Sequence, residues 1–258
     1  MTIAQLTPEE IVQILCRSQL PTVLVEGRDD MSVYRWLESC GAIGNVDVMQ
    51  CGGRTALMTV YQRRNEFSHI PCAFLADRDL WLFSRVPEEY REIVLTRGYS
   101  IENDLLDGSC VHSLLDPPER TEFNSLANCL AEWFAFEVEQ FRRLEDYQLD
   151  LHPNYLIPIG SHSLNYASLA PRTFHRPRRP LVNSILNNFT VKFRGKTLVQ
   201  LYLRILSAPD RCAKYSRSSI LEISAKCDST SHTARLVRLI GRRLSVQNAG
   251  SGVQACKV

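Results

Sequence analysis

Apolar positions in the first hundred residues alternate between a helical and a strand period. Ile11, Ile14 and Leu15 follow Thr7-Pro8-Glu9-Glu10, which joins a Thr cap, a first-turn proline and a glutamate three residues past the cap, a helix start. "TVLVE" reads as a short buried strand, and "DDMSVYRWLESCG" as a helix capped by Asp and ended by Gly41. "VDVMQ" predicts a second strand, "GGRTALMTVYQRRNEF" a turn leading into a helix, and "CAFLAD" a third strand. "EIVLTRGYS" predicts a fourth, followed by a short helix from "IENDLL". Strands and helices alternating at this spacing imply an α/β fold, a mostly parallel sheet flanked by helices.

Past Asp116-Pro117-Pro118 the pattern changes. "SLANCLAEWFAFEVEQFRRLEDY" has the pattern of a long amphipathic helix, and the stretch from His152 to Pro180, rich in Pro, Ser and His, reads as irregular with one short strand around Leu156. "GKTLVQLYLRIL" and "SHTARLVRLIGRRL" predict helices with basic faces, and "QNAGSGVQACKV" a frayed tail. The expected organisation is an α/β domain over 1–116, a mainly helical basic domain over 117–245 and a tail over 246–258.

Charge divides the chain more sharply than hydropathy does. Residues 1–170 hold 13 Arg, no Lys and 25 acidic side chains; residues 171–258 hold 17 Lys and Arg against three acidic ones. Such asymmetry points to a polyanion or an acidic partner for the basic part, or to pairing between the halves. No apolar run reaches the roughly 18–20 residues of a membrane span. The N-terminus has no early basic residue and does not read as a signal peptide. Nine cysteines occur singly with no CxxC pair, which argues against a zinc site or a disulfide framework. The expected compartment is the cytoplasm, with thiols as core filler.

The candidate chemistry lies where strands end. In open parallel sheets, ligands sit outside the carboxyl ends of the strands. Glu26 closes the first strand, with Asp30 four residues on, and Asp77 and Asp79 close the third. Strand alternation puts Asp77 and Asp79 on one side of the chain. If the two strands are neighbours, Glu26, Asp77 and Asp79 share a rim and need a cation; with oxygen ligands the favoured one is Mg²⁺, or Mn²⁺. Glu102 in "GYSIENDLL" is a further candidate, or it serves the dipole of a helix capped by Ser100. Solvated, helix-capping carboxylates are the plainer alternative for the whole set. An aspartyl-phosphate phosphatase would want a lysine nearby, and the first lysine is Lys192. A dinucleotide site would want G-x-G-x-x-G after the first strand, which is absent.

Glu26-Gly27-x-x-Asp30 followed by Asp77-x-Asp79 resembles the TOPRIM domain of primases, topoisomerases and OLD-family nucleases. The match covers about the first 110 residues. "LVEGRDDMSVYRWL", "FLADRDLW", "YSIENDLL" and "FRGKTLVQLYLRIL" together are similar to a narrower group: TOPRIM-like effectors encoded beside ABC-type ATPases in bacterial anti-phage systems. The resemblance implies a Mg²⁺-dependent nuclease held inactive by an ATPase partner. On release it would act as a homodimeric toxin on host tRNA, lysine tRNA in particular. Glu26 would be the general acid/base and Asp77 and Asp79 the metal ligands, with Asp30 and Glu102 in the extended motifs. DNA cleavage, and a non-catalytic adaptor binding an ATPase and nucleic acid, remain the alternatives.

For a nuclease the basic half would supply attraction to phosphates. "RTFHRPRRP" combines Arg172, Arg176, Arg178 and Arg179 with Phe174 and His175, a mix suited to phosphate contact and base stacking. Lys192, Arg194 and Lys196 form a second group. Arg235, Arg238, Arg242 and Arg243 recur at helical spacing as a stripe. Each group would serve a nucleic acid or an acidic partner protein equally, or be a solvated face.

Overall fold

The structure is a computed structural model that describes residues 5–27, 45–226 and 231–251. Four parallel strands, β1 (Thr22–Val25), β2 (Asp47–Gln50), β3 (Cys72–Ala76) and β4 (Val94–Leu95), form one sheet in the order β2-β1-β3-β4. β1 lies in the middle, with Val25 opposite Gln50 on one side and Leu75 on the other. Every residue of β1 and β3 is buried, as expected of parallel strands covered on both faces. The first helix, α1 (Pro8–Arg17), starts on the capping box read from Thr7 and Glu10. The second, α2 (Arg54–Gln62), leaves β2 through Cys51-Gly52-Gly53. Gly52 and Gly53 have φ of 86° and 134°, and a Cβ on Gly52 would meet the Gln5 side chain, so this turn requires glycine. The helix expected from Asp29 to Gly41 lies outside the described residues.

Among the described residues the remaining helices are α3 (Ile101–Leu106), α4 (Pro117–Arg142), α5 (Arg179–Leu186), α6 (Gly195–Leu206), α7 (Arg217–Lys226) and α8 (Ser231–Ser251), with one-turn helices between them. The chain forms two compact units that do not follow sequence order. One comprises Met1–Asp77, Val86–Thr96 and Ser231–Val258; the other comprises Arg78–Arg85 and Arg97–Thr230. In the first, α8 packs on β3 and β4. In the second, α4 is the hub: Trp133 to Val138 are all buried, so this stretch of the helix is covered on every side. Phe134 makes edge contacts with Phe83, Tyr99 and Phe193, at ring separations of 5.7, 5.7 and 5.1 Å.

Three local expectations change. The strand anticipated around Leu156 is a helical turn, Pro153–Leu156: His152 Nδ1 accepts the Asn154 N–H and Pro153 opens the turn, so capping chemistry overrides strand propensity. The last helix continues to Ser251, past the point where the tail was expected. Cys51 and Cys72 are core residues as anticipated, but Cys16 and Cys212 are exposed and Cys110 is disulfide-bonded.

Candidate acidic site at the strand ends

The sheet order makes β1 and β3 neighbours, and Glu26 and Asp77 both follow the last residue of their strands. The Asp77 N–H donates to Glu26 Oε1 at 3.1 Å. The charge that Glu26 needs opposite it comes from Arg54, the first residue of α2: Nη1 lies 3.3 Å from Glu26 Oε1 and 2.9 Å from the Asp77 carbonyl oxygen. One guanidinium thus ties the tips of two adjacent strands together. The backbone holds Glu26 as well, since the Gly53 N–H donates to its carbonyl at 2.6 Å. Both side chains of the pair are mostly shielded, 15% exposed for Glu26 and 27% for Arg54, so the contact is stronger than a surface pair. Cys51 sits close by, and burial, with the Glu26 charge adding to it, pushes its thiol up to about 12.

Arg54 was not among the residues singled out in the sequence. Its signal is its place, directly after the double glycine at the end of the strand flanking β1. A search for the counterion of Glu26 at neighbouring strand ends would have found it.

Asp79 and Glu102 belong to the second unit. Asp79 has φ of 49°, a left-handed conformation costly for most non-glycine residues, and its N–H donates to the Tyr99 carbonyl at 2.7 Å. Glu102 lies in α3, whose six residues are all buried, and pairs with Arg217 Nη2 at 3.0 Å. Its carboxylate is therefore committed to an internal ion pair. Asp104 accepts the N–H groups of Arg97 and Gly98 at 2.9 and 2.6 Å. Asn103 accepts from the Ser100 N–H and hydroxyl and donates to the Thr190 and Phe193 carbonyls. Gly195 opens α6 against this cluster; a Cβ there would stand 2.0 Å from Ser100 Oγ and 2.8 Å from Asn103 Oδ1. "YSIENDLL" and "FRGKT" are thus two faces of one packed junction. Asp30 lies outside the described residues.

The basic residues divide by use. Arg172 is internal: it pairs with the fully buried Glu137 at 2.9 Å and with the exposed Asp146 at 2.7 Å. Arg235 donates to the Leu95 carbonyl, and Arg243 to the Arg91 carbonyl, so half of the expected stripe on α8 holds the helix to the β4 region. Arg238 and Arg242 face solvent. Lys192 donates to Ser184 Oγ at 2.6 Å, and Arg194 to Thr197 Oγ1 at 3.5 Å. Arg176, Arg178 and Lys196 are exposed; Arg179 is also exposed and makes a loose 3.4 Å pair with Glu132.

Carboxylate oxygens at strand ends are the donor chemistry that suits Mg²⁺. Among the described residues no group of three or more His, Cys, Asp or Glu is arranged to hold a metal ion. Those residues bring together Glu26 and Asp77, with Arg54 between them. Among them, no helix is long and apolar enough to cross a membrane. The fold and site define an α/β protein whose parallel sheet ends in a carboxylate–guanidinium cluster. No family model matches the chain, and no curated protein matches it.

Proposed function

We propose that the chain is a Mg²⁺-dependent, TOPRIM-like endoribonuclease. The observation that carries this reading is the adjacency of β1 and β3, which sets Glu26 against the backbone of Asp77 at the carboxyl end of the sheet. Glu26 would take and return the proton of the attacking and leaving oxygens. Asp77 and Asp79 would hold Mg²⁺, which supplies charge stabilisation at the phosphoryl oxygens. Arg54 would keep the Glu26 carboxylate aimed.

Length and motif placement most resemble AriB, the effector nuclease of the PARIS anti-phage defence system. On that resemblance the substrate is host tRNA, lysine tRNA in particular. The active form is a homodimer in the cytoplasm, and an ABC-type ATPase of the same system restrains it. Expression of the chain alone, against Asp77→Asn, followed by sequencing of tRNA ends, tests this. New internal tRNA ends that vanish in Asp77→Asn support it, and identical end profiles contradict it.

One observation favours a second reading, a non-catalytic adaptor that binds an ATPase and nucleic acid. The Arg54 guanidinium on Glu26 also satisfies that carboxylate as a purely structural pair would. Cleavage by the wild-type chain that falls in Arg54→Ala without loss of fold excludes it.

A further inference from the structure

Within the second unit, the end of α4 and the start of α5 enclose a cleft of about 530 Å³. Arg142 lines it from the last residue of α4, Arg143 from the residue that caps that helix at its C-terminus, and Arg178 from the residue that caps α5. Arg142 and Arg143 lie at a helix C-terminus, where the macrodipole favours cations; Arg178 lies at a helix N-terminus, where it does not. No acidic residue occupies the first turn of α5. The counterion is Glu139, which is buried, accepts the Arg178 backbone N–H at 2.9 Å and reaches Arg143 only at 4.0 Å. Among the described residues the Arg178 guanidinium has no ion-pair partner, and Arg142 uses its Nε on the Phe83 carbonyl at 3.0 Å. Arg143 also stands 4.0 Å from the half-exposed Glu145, and three guanidinium groups against these two carboxylates leave the cleft with an excess of positive charge.

The other walls narrow the ligand. Pro180 and Leu181 give an apolar side, and the Ser184 hydroxyl, fixed as an acceptor by Lys192, gives a polar one. The volume falls in the usual range of small-ligand clefts, about 300–1,000 Å³, and a lone phosphate would leave most of it empty. We propose that this cleft is a nucleotide site. Phosphate oxygens bind the guanidinium groups of Arg142, Arg143 and Arg178, and the base or ribose packs on Pro180 and Leu181. A nucleotide within an RNA strand and a free nucleotide share this chemistry. The first source rests on the ribonuclease reading above; the second does not.

The test measures binding in EDTA, so that no cleavage is required. Fluorescence anisotropy follows a labelled single-stranded RNA 12-mer, and calorimetry follows AMP. The Arg142→Ala/Arg143→Ala/Arg178→Ala variant is compared with wild type and with Arg17→Ala, an exposed arginine on α1. Arg178→Ala alone retains the backbone bond to Glu139 and reports in the same direction if the triple variant folds poorly. RNA affinity at least about tenfold weaker in the triple variant, with a salt slope shallower by about two, supports the site with an RNA strand as its source. AMP binding that the triple variant loses, without RNA binding by wild type, supports a free nucleotide and separates the cleft from the ribonuclease reading. Wild-type binding of neither ligand, or unchanged binding in the variants, overturns the proposal.

Discussion

Replacing Arg172 by alanine separates a structural arginine from a binding one. In the sequence Arg172 opens a basic cluster; in the structure its guanidinium reaches Glu137, whose side chain is 0% exposed, and Asp146, which is 92% exposed. The Asp146 contact is solvated and contributes at most about 1 kcal/mol. The Glu137 contact differs. Without Arg172, Glu137 Oε2 keeps the Gln148 N–H at 2.7 Å, and Oε1 has no hydrogen-bond partner among the described residues. Removing one partner of a buried pair costs about 3–5 kcal/mol, and the partial exposure of Arg172 places this case near about 3 kcal/mol. The deficit depends on pH. Burial already pushes the Glu137 carboxyl above its ordinary 4.5, and the loss of Arg172 moves it further up. A carboxyl raised in the folded state binds its proton more tightly there than in the unfolded chain. Stability is therefore gained as pH falls towards 4.5 and lost as pH rises through the folded value. Urea unfolding followed by circular dichroism at pH 7 and pH 5 should show the larger deficit at pH 7, and Glu137→Leu with Arg172→Met should restore most of the loss. A deficit under about 0.5 kcal/mol, accompanied by lost RNA binding, would refute this reasoning and return Arg172 to the binding surface.

Other perturbations test other parts of the account. Gly195→Ala should cost about 2 kcal/mol or more, because the added methyl displaces the Ser100 hydroxyl from its bond to Asn103; an unchanged urea midpoint contradicts that packing. Cys51 and Cys72 are both pushed from 9.0 to about 12, chiefly by burial, so their stabilisation is complete below pH 9 and declines as pH rises towards 12. At pH 10 the loss is about 1.4 kcal/mol for each thiol, and a flat melting profile from pH 8 to 10 would count against it. Glu26→Ala should lower stability by about 1 kcal/mol, since Arg54 and the Asp77 amide lose an acceptor; a more stable variant would mean that carboxylate repulsion outweighs the pair.

The sheet was legible because its strands are short apolar runs that stop abruptly at charged residues or glycine, and the helix starts because their caps are local. The strand order was not, since hydrophobic pattern says which residues are buried and not against what. Glu26 and Asp77 could be named from the sequence, but their neutralisation by Arg54 depends on β2 and β3 flanking β1. Arg172 lies 35 positions from Glu137, and nothing local distinguishes it from the exposed Arg176. Glu102 shows the same limit: its partner, Arg217, is supplied by a helix 115 residues later. Charge in sequence marks candidates, and only packing tells which of them are already paired.

The central claim is metal-dependent phosphodiester cleavage at Glu26 and the Asp77/Asp79 pair. The most direct measurement incubates purified wild-type chain and Glu26→Ala with total tRNA and with duplex DNA, each in Mg²⁺, Mn²⁺ and EDTA. The account predicts tRNA fragments that need the metal and disappear in Glu26→Ala. Fragments that persist in EDTA or in the variant, or cleavage of DNA alone, would contradict it.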